Sequence, residues 1–305
     1  MKPALLFLLS ILVFSCTNSN SEKTVVDFSD TRPSKHSMNE KGVEPVYIAI
    51  ASMTSPKETY IYYSDLIKYI SDKVGHPIYI KQKKTYEEVN MLLENSEIDF
   101  AFICSGAFVD EYKRGKIKLL VAPQIDGEIT YHAYIIAQKN SNIESFKDFE
   151  NKSFAFTDPL SNTGRLYPLQ ELYKTHKSEK DFFMKTIYTY GHDISIQMVN
   201  RGIIDGASVH GLIYDYLALN NPEKVENVKV VKCSETYGIP PVVTPATLSP
   251  DKANTYRKIF LNIYKDSVGK KILEKLNIDK FVVIDDTLYN NVFQLKEFIN
   301  HEYGH

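Results

Sequence analysis

The amino-acid sequence predicts an α/β protein with two open, mostly parallel sheets, each flanked by helices. Apolar runs of strand length alternate with helix-length segments, and this alternation passes through two cycles along the 305 residues. The run at residues 46–51 is apolar throughout, which is typical of a strand buried on both faces of a parallel sheet. Two similar units connected by two crossovers predict a bilobed protein with a two-strand hinge.

The first cycle starts with the strand at residues 46–51. A helix is predicted at 60–74, because Leu66, Ile67 and Ile70 fall at helical spacing before Gly75. The other segments of this cycle alternate in the same way, with strands predicted at 78–81, 98–103, 119–123 and 131–138 and helices at 86–93 and 107–114.

The second cycle starts after residue 142. Its predicted strands are 153–157, 186–189, 206–209, 228–232 and 242–244, and its predicted helices are 143–149, 165–173, 194–201, 212–220, 251–265 and 269–276. We therefore predict one lobe from residues 45–134 together with 238–305, and a second lobe from residues 135–237.

The amino terminus, residues 1–16, has the pattern of a lipoprotein signal peptide. Its apolar run from residue 4 to residue 14 is too short to span a bilayer as a permanent helix. The run ends at Ser15 and Cys16 in a pattern that resembles a bacterial lipobox. This resemblance implies cleavage before Cys16, acylation of its thiol (palmitate) and an extracytoplasmic place at the cell membrane or in the periplasm. An ordinary secretory signal with an incidental cysteine is the alternative. Residues 17–44 are polar and predict a flexible tether.

Charge and motif content exclude several classes of function. The formal net charge is −2, whereas nucleic acids and anionic membranes select basic surfaces, so we expect no nucleic-acid partner.

Cys104 and Cys233 either pair or remain unpaired small side chains, and no C-x-x-C motif supports a redox or zinc site. Residues 301–305 read H-E-x-x-H, but Gly304 weakens the helix that a zinc site needs, so we expect a frayed terminus and no metal. No nucleophile elbow, P-loop or dinucleotide-binding glycine pattern is present, and we expect neither enzymatic activity nor a cofactor.

A polar turn at residues 157–166 is the strongest candidate for a binding site. Ser161, Asn162 and Thr163 follow a predicted strand and open a predicted helix, and each is a residue type preferred at a helix N-cap. A helix N-terminus presents unpaired N–H donors and a partial positive charge, so such a turn binds an oxyanion without a buried cation. Gly164 is expected to let the backbone approach a ligand closely. A helix capped more than it requires, with no ligand, is the alternative.

Four segments together resemble a known family. Residues 99–102 read Asp-Phe-Ala-Phe, residues 131–134 begin a strand with Tyr131, residues 158–164 read Asp-Pro-Leu-Ser-Asn-Thr-Gly, and residues 191–193 read Gly-His-Asp. These segments resemble, in order, those of the phosphate, phosphite and phosphonate-binding (PhnD-like) proteins of bacterial ABC transporters. The resemblance covers most of the chain and implies the bilobed fold of type II periplasmic binding proteins.

The resemblance also implies roles for individual residues. Ser161, Asn162 and Thr163 would hold the oxygens of a small phosphorus oxyanion, and His192 would donate to another oxygen. Ser105, Thr54 and Tyr131 would line the facing wall. A packed histidine and plain hinge-strand packing are the alternatives for His192 and Tyr131. The protein would act as a monomer and deliver its ligand to an ABC transporter permease. A binding protein that presents a solute to a membrane receptor kinase is the alternative function.

Three departures from the family pattern bear on the ligand. Asn162 stands where the family has Thr, which changes the reach of that side chain. Arg165 stands where a small or apolar residue is usual, and it either adds a charge to the anion site or points to water. Residues 239–241 read Ile-Pro-Pro and lack the acidic residue that pairs a ligand ammonium in aminophosphonate binders. We therefore expect ligands with a free amine to bind less well than simple oxyanions.

Overall fold

Two mixed sheets, each flanked by helices, form the protein in a computed structural model that describes residues 44–304. The predicted signal peptide, with Cys16, and residues 17–43 of the predicted tether lie outside the described residues. Among residues 44–304, no helix combines the length and the apolarity that crossing a bilayer requires.

The first sheet has six strands in the order β11-β4-β10-β3-β1-β2. Strand β1 is parallel to β2 and β3, whereas β10 and β11 run antiparallel to their neighbours. The strands are β1 (Val46–Ile50), β2 (Ile78–Ile80), β3 (Phe100–Phe102), β4 (Ile117–Gln124), β10 (Val242–Pro245) and β11 (Lys280–Val282). We call the part of the chain around this sheet lobe 1. Its helices are α1 (Pro56–Val74), α2 (Tyr86–Glu94), α3 (Ser105–Lys113), α8 (Pro250–Asn262) and α9 (Ser267–Lys275).

The second sheet has five strands in the order β7-β6-β8-β5-β9 and forms the centre of lobe 2. Strand β6 is parallel to β7 and β8, and β5 is antiparallel to β8 and β9. The strands are β5 (Thr130–Gln138), β6 (Ser153–Phe156), β7 (Lys185–Tyr188), β8 (Gly206–His210) and β9 (Val228–Gly238). The helices of this lobe are α4 (Tyr167–Tyr173), α5 (Glu179–Phe182), α6 (His192–Asn200) and α7 (Gly211–Asn220).

The chain crosses between the two sheets twice, after β4 and after β9. The two crossing segments are hydrogen-bonded to each other, since the backbone N–H of Ile239 donates to the carbonyl of Ile129 over 3.0 Å. The predicted α/β class with two sheets and a hinge of two segments is confirmed. The sheets are mixed because β5 runs antiparallel to both of its neighbours in the second sheet, and β10 and β11 run antiparallel to theirs in the first.

The last helix, α10 (Asn290–Tyr303), was not predicted, and the expectation of a frayed terminus is wrong for these residues. Val292, Leu295 and Ile299 are buried on one face, Phe293 and Phe298 pack partly buried against the same core, and this tertiary packing stabilises the helix. The helix contacts both lobes: Lys113 of lobe 1 pairs with Glu297 at 2.7 Å, and the Tyr303 hydroxyl donates to a lobe 2 carbonyl at 3.2 Å.

The helix predicted at 143–149 is only one turn of 3₁₀-helix, Phe146–Phe149. Ser145 and Asp148 form a reciprocal capping box, which fixes the start of the turn at residue 146 rather than at 143. Both phenylalanines of the turn are buried, so the segment anchors an aromatic cluster instead of extending into a helix.

Candidate functional site

The polar turn lies where predicted, after strand β6 and at the start of a helix. Ser161 is the N-cap: its Oγ accepts from the backbone N–H of Gly164 at 2.9 Å. Its carbonyl accepts from both Arg165 and Leu166 at 3.0 Å, which widens the first turn, Asn162–Leu166, into a π-helical turn that continues into α4. Ser161, Asn162 and Thr163 are fully buried.

Gly164 has a different role from the predicted one. A Cβ at this position would lie 2.5 Å from both Cβ and Oγ1 of Thr157, the residue that follows β6. The glycine is therefore required because the helix start packs against the end of the strand, and this contact explains it without a ligand.

Lobe 1 faces this turn with the start of helix α3. A Cβ at Gly106 would lie 2.3 Å from the carbonyl of Leu160 and 2.6 Å from the backbone nitrogen of Asn162. Two helix N-termini, one from each lobe, therefore meet at the turn. Because the first N–H groups of a helix have no partner within it, this meeting point is electropositive without any charged side chain.

Tyr131, on hinge strand β5, joins the two sides. Its hydroxyl forms a 2.8 Å hydrogen bond with Ser105 Oγ of lobe 1 and accepts from Asn162 Nδ2 of lobe 2 at 3.4 Å. Burial raises the pKa of the Tyr131 hydroxyl, so it stays protonated and neutral. Three of the predicted residues thus form one hydrogen-bonded chain across the lobe interface.

His192 lies at the start of helix α6 with a defined tautomer. Its Nδ1 accepts from the backbone N–H of His210 at 3.1 Å and is 3.0 Å from Thr157 Oγ1. Because a backbone N–H can only donate, Nδ1 carries no proton, and in the neutral ring Nε2 must carry it. Complete burial holds the pKa of His192 well below its usual value, which keeps the ring neutral. The Nε2–H donor has no partner within the described residues.

Several buried polar atoms near the turn have no hydrogen-bond partner within residues 44–304. A buried polar atom without a partner costs about 1–3 kcal/mol, so such atoms indicate where a ligand or water completes the site. Contacts between neighbours link the group: the His210 ring stacks on Tyr131 at 4.2 Å and lies 5.7 Å from the ring of His192. The atoms are Tyr86 OH, Asn162 Oδ1, Thr163 Oγ1, His192 Nε2 and His210 Nδ1.

The described part of the chain places no buried cation in the site. Among the polar and charged side chains buried in residues 44–304, there is neither lysine nor arginine. Burial lowers the pKa of His210 to about 3, so this imidazole is also neutral near pH 7. An anion would be held by amide, hydroxyl and imidazole dipoles, as the sequence predicted.

Arg165 follows neither of the two expectations. Its guanidinium pairs with Glu179 at 2.7 Å and lies 4.4 Å from the centroid of the Phe156 ring, and only 13% of the side chain is exposed. Both expectations, a charge in the anion site and a side chain in water, are therefore wrong. A nearby carboxylate and an aromatic face neutralise and cover the charge.

Thr54 is placed apart from the turn. Its hydroxyl is 2.9 Å from that of Thr59, and the residue lines a cavity of about 290 Å³ between the lobes. His210 lines the same cavity, whereas Ser161, Asn162 and Thr163 do not. With the lobes in contact, the turn is enclosed.

Direct bonds hold the lobes together around the turn. The His192 backbone N–H donates to the Met53 carbonyl at 2.8 Å. Asp158 Oδ2 accepts from the backbone N–H of Tyr86 at 3.1 Å, and Lys224 pairs with Glu58 at 3.0 Å. Each of these contacts joins lobe 1 to lobe 2, so the arrangement around the turn depends on the lobes being together.

Sequence patterns did not indicate His210 or Tyr86 as members of the site. His210 had a detectable signal, since it ends strand β8 beside β6, and the carboxyl ends of parallel strands are frequent ligand sites. No sequence signal indicated Tyr86, because its position opposite the turn depends on how the two lobes meet.

Within the described residues, the remaining cysteines and histidines form neither a disulfide nor a metal site. Cys104 is buried and Cys233 is exposed, and both are free. His301 lies on α10, and the second histidine of the motif, at position 305, is outside the described residues. Within residues 44–304, no cluster of three potential metal ligands occurs.

The chain matches a known protein family over most of its length. A family model described as "ABC transporter, phosphonate, periplasmic substrate-binding protein" matches residues 48–289. The chain is 24% identical over 193 residues to a "Probable ABC transporter phosphite binding protein PhnD1" of Prochlorococcus marinus, covering 59% of this chain and 65% of that protein. It is 27% identical over 177 residues to a "Phosphonates-binding periplasmic protein" of Escherichia coli, covering 57% of this chain and 52% of that protein. The match thus spans between half and two thirds of these relatives.

Solved structures show the same fold. A binding protein component of an ABC phosphonate transporter from Pseudomonas aeruginosa superposes with a TM-score of 0.79 at 23% identity, over 84% of this chain and 87% of the other. PhnD1 from Prochlorococcus marinus, in complex with methylphosphonate, superposes with a TM-score of 0.75 at 18% identity, over 84% of this chain and 98% of the other. Both are ABC-transporter binding proteins.

Proposed function

Because the chain belongs to the family of periplasmic substrate-binding proteins of phosphonate ABC transporters, we propose that it binds a small phosphorus oxyanion between its lobes and delivers it to such a transporter. The named relatives are solute-binding proteins and not enzymes, in agreement with the expectation from the sequence. They are transporter components, so the alternative of a receptor-kinase partner receives no support from them.

One observation carries the proposal: unpaired, buried polar atoms from both lobes converge on an electropositive turn that contains no cation. Thr163 and His192 contribute unpaired donors from lobe 2, and Tyr86 contributes its hydroxyl from lobe 1. A tetrahedral oxyanion has several acceptor oxygens, so it suits donors that approach from different sides. The His192 Nε2–H is a donor in the tautomer that its neighbours fix.

Binding would be coupled to closure of the lobes. The anion contacts groups of both lobes only when they are together, so it binds that arrangement more tightly and shifts the equilibrium towards it. The hydrogen bond from His192 to Met53 and the pair between Lys224 and Glu58 would then form together with the ligand contacts.

The identity of the oxyanion is tested by calorimetry and thermal shift with phosphate, phosphite, methylphosphonate and sulfate. A ligand at 100 times its Kd stabilises the protein by about 2.7 kcal/mol, which is easily measured. We expect a phosphonate, phosphite or phosphate to bind more tightly than sulfate. The proposal fails if none of the phosphorus oxyanions stabilises the protein.

We also propose that Cys16 is acylated and that residues 17–44 tether the binding lobes to the membrane. The support is the lipobox-like pattern before Cys16 in the sequence. Expression in bacteria with an alkyne-labelled fatty acid should label the wild-type protein and leave Cys16→Ser unlabelled. Equal labelling of both proteins would contradict the assignment.

We further propose that the protein acts as a monomer. The lobe boundaries expected from the sequence, 134/135 and 237/238, move to the ends of strands β5 and β9, because both strands lie wholly in the second sheet; we propose one lobe at residues 45–129 plus 239–305 and the other at residues 130–238. Light scattering coupled to gel filtration tests the first proposal. A dimer mass at micromolar concentration would refute it.

A further inference from the structure

A second cavity lies between the lobes, beside helices α2 and α3. Its volume is about 450 Å³, within the range for small-molecule sites. Helices α2 and α3 of lobe 1 form one wall, and residues 158–160 and Tyr190 of lobe 2 form the other. It shares no lining residue with the cavity that contains Thr54, and Ser161 does not line it, so it is separate from the proposed anion site.

Two buried acceptor atoms of this lining have no hydrogen-bond partner among residues 44–304. They are Asn90 Oδ1 on α2 and Glu111 Oε2 on α3, and the two residues are 4% and 5% exposed. Their other polar atoms are occupied: Asn90 Nδ2 donates to the carbonyl of Ala107 at 3.1 Å, and Glu111 Oε1 accepts from Arg114 at 2.9 Å. Ala107 lies one turn before Glu111 on α3, so both unpaired oxygens belong to the same contact between the helices. Each oxygen needs a donor, so whatever completes the cavity supplies hydrogens.

The charges around this cavity are mainly negative. Several carboxylates line it, whereas Arg114 is the one base among the described lining residues, and its guanidinium already contacts Glu111 and Glu94 at 2.9 Å. Lysines outside the lining pair with Glu94 and Asp110, which still leaves an excess of negative charge. Burial raises the pKa of the Glu111 carboxyl, so a cation at its free oxygen would stabilise the ionised form. The lining carboxylates are those of Glu87, Glu94, Asp110, Glu111 and Asp158.

A primary ammonium ion fits this lining better than a metal ion does. Within residues 44–304, no group of three potential metal ligands occurs, so a metal ion here would keep most of its water. An ammonium ion has three N–H donors and needs only oxygen acceptors within hydrogen-bond reach. Met91, Pro159 and Leu160 also line the cavity, and their apolar atoms would contact the carbon chain of an amine.

We propose that this cavity binds a small aliphatic amine as its ammonium ion, with the nitrogen at Asn90 Oδ1 and Glu111 Oε2 and the carbon chain against Met91 and Leu160. The site is separate from the anion site, so the amine is a second ligand and not a part of the first. Because both lobes line the cavity, the ammonium ion favours the arrangement in which they are in contact. The amine and the oxyanion of the proposed function should therefore tighten each other's binding by the same factor.

Titration calorimetry of the purified protein with n-butylammonium tests the site in the absence of any oxyanion. This ion should bind at least about tenfold more tightly than tetramethylammonium, which has the charge but no N–H donor. Glu111→Gln removes the carboxylate charge and should weaken n-butylammonium binding by at least about tenfold. Glu171→Gln is the matched control, since Glu171 is an equally buried glutamate of lobe 2 that lies outside the lining, and its affinity should be that of the wild type.

A variant that fills the cavity tests the site if Glu111→Gln does not fold. Met91 lines the cavity and is more than half exposed, so Met91→Trp occupies the space without disturbing the core. It should reduce the affinity for n-butylammonium at least about fivefold, the lower end of what overpacking costs. Met184→Trp makes the same substitution at an exposed position outside the lining and should leave the affinity unchanged.

Three results would overturn the site: no binding of n-butylammonium, equal binding of tetramethylammonium, or wild-type affinity in Glu111→Gln. Tighter binding of Mg²⁺, with displacement of n-butylammonium, would overturn the ligand class.

The coupling between the two ligands is measured separately, and this part rests on the proposed function. Saturating n-butylammonium should tighten methylphosphonate binding at least about fivefold in the wild type and not in Glu111→Gln. Unchanged methylphosphonate affinity would refute the contact of the amine with lobe 2. If no phosphorus oxyanion binds, the proposed function fails, and the n-butylammonium titration alone still decides this site.

Discussion

The carboxylate of Asp193, on lobe 2, accepts a 2.8 Å hydrogen bond from the backbone N–H of Ser55, at the start of helix α1 on lobe 1. Asp158 of lobe 2 makes the equivalent bond to Tyr86, at the start of α2. Helices α1 and α2 of lobe 1 therefore each have an N-terminal backbone donor bound by a carboxylate of the other lobe. When the lobes separate, both carboxylates and both helix ends exchange these partners for water.

Substitution of Asp193 by Ala should weaken the closed arrangement. Loss of a hydrogen bond to a charged group costs about 1.5–3 kcal/mol, so ligand affinity should fall by at least about tenfold. Asp193→Asn retains an acceptor oxygen, so its ligand affinity should fall less than that of Asp193→Ala. Small-angle scattering of the ligand-free proteins reports the lobe separation directly. An alanine variant with the wild-type radius of gyration and affinity would show that this bond does not hold the lobes.

Gly106→Ala should block closure by a steric clash. The added Cβ would lie 2.3 Å from the carbonyl of Leu160 in the facing lobe, and real Cβ contacts are longer than 3 Å. The lobes must then stay slightly apart, and we expect ligand affinity to fall by about 1–3 kcal/mol, the usual cost of overpacking.

The unfolding free energy of the ligand-free Gly106→Ala protein is the control. The clash is between lobes and not within one, so opening relieves it and stability should change little. A large loss of stability with unchanged ligand affinity would show that the added methyl group clashes within one lobe and not between the lobes.

His192→Ala should remove a donor to the anion. We expect the best oxyanion ligand to bind about 1–3 kcal/mol more weakly by calorimetry, the range for a lost hydrogen bond to a charged group. His301→Ala, at a histidine whose side chain is 83% exposed, is the matched control and should bind as the wild type does. Wild-type affinity in His192→Ala would remove this residue from the site.

Ser161→Ala should weaken the ligand by a similar amount and lower stability as well. The Oγ of Ser161 caps the helix through Gly164, and loss of an N-cap costs about 1 kcal/mol. Ser161→Thr retains the hydroxyl and should preserve the cap. Comparison of urea unfolding with binding separates the two effects, and unchanged binding in Ser161→Ala would refute a ligand role for this turn.

Stability should depend on pH through His210. Its pKa is about 3 in the folded protein and about 6.5 in the unfolded chain, so the unfolded state binds the additional proton between these values. The contribution of His210 is therefore complete above about pH 6.5 and is lost as the pH falls towards 3, by about 1.4 kcal/mol per pH unit.

His210→Gln removes this titration and keeps the backbone N–H that contacts His192. Between pH 6 and pH 4, the unfolding free energy of this variant should decline less steeply than that of the wild type. Parallel pH profiles for wild type and His210→Gln would contradict a buried, neutral His210.

The parts of the site that local sequence predicted are those built by consecutive residues. The turn at Ser161, Asn162 and Thr163 was found because cap preferences and a strand-to-helix transition are local properties. The family pattern added His192 and Tyr131. The expectation that Arg165 points to water failed because its partner, Glu179, is on a separate helix, and nothing in the sequence near residue 165 indicates that pairing.

The sequence by itself determined the α/β class, the two cycles of strands and helices, and the turn that presents unpaired N–H groups, since hydrophobic periodicity and capping act over a few residues. Only the tertiary structure decided that Gly106 faces Asn162, that Tyr131 links the lobes and that His210 fixes the tautomer of His192. These contacts join residues far apart in the chain. They depend on how two separately folded surfaces meet, which is a matter of shape and packing that no local pattern encodes.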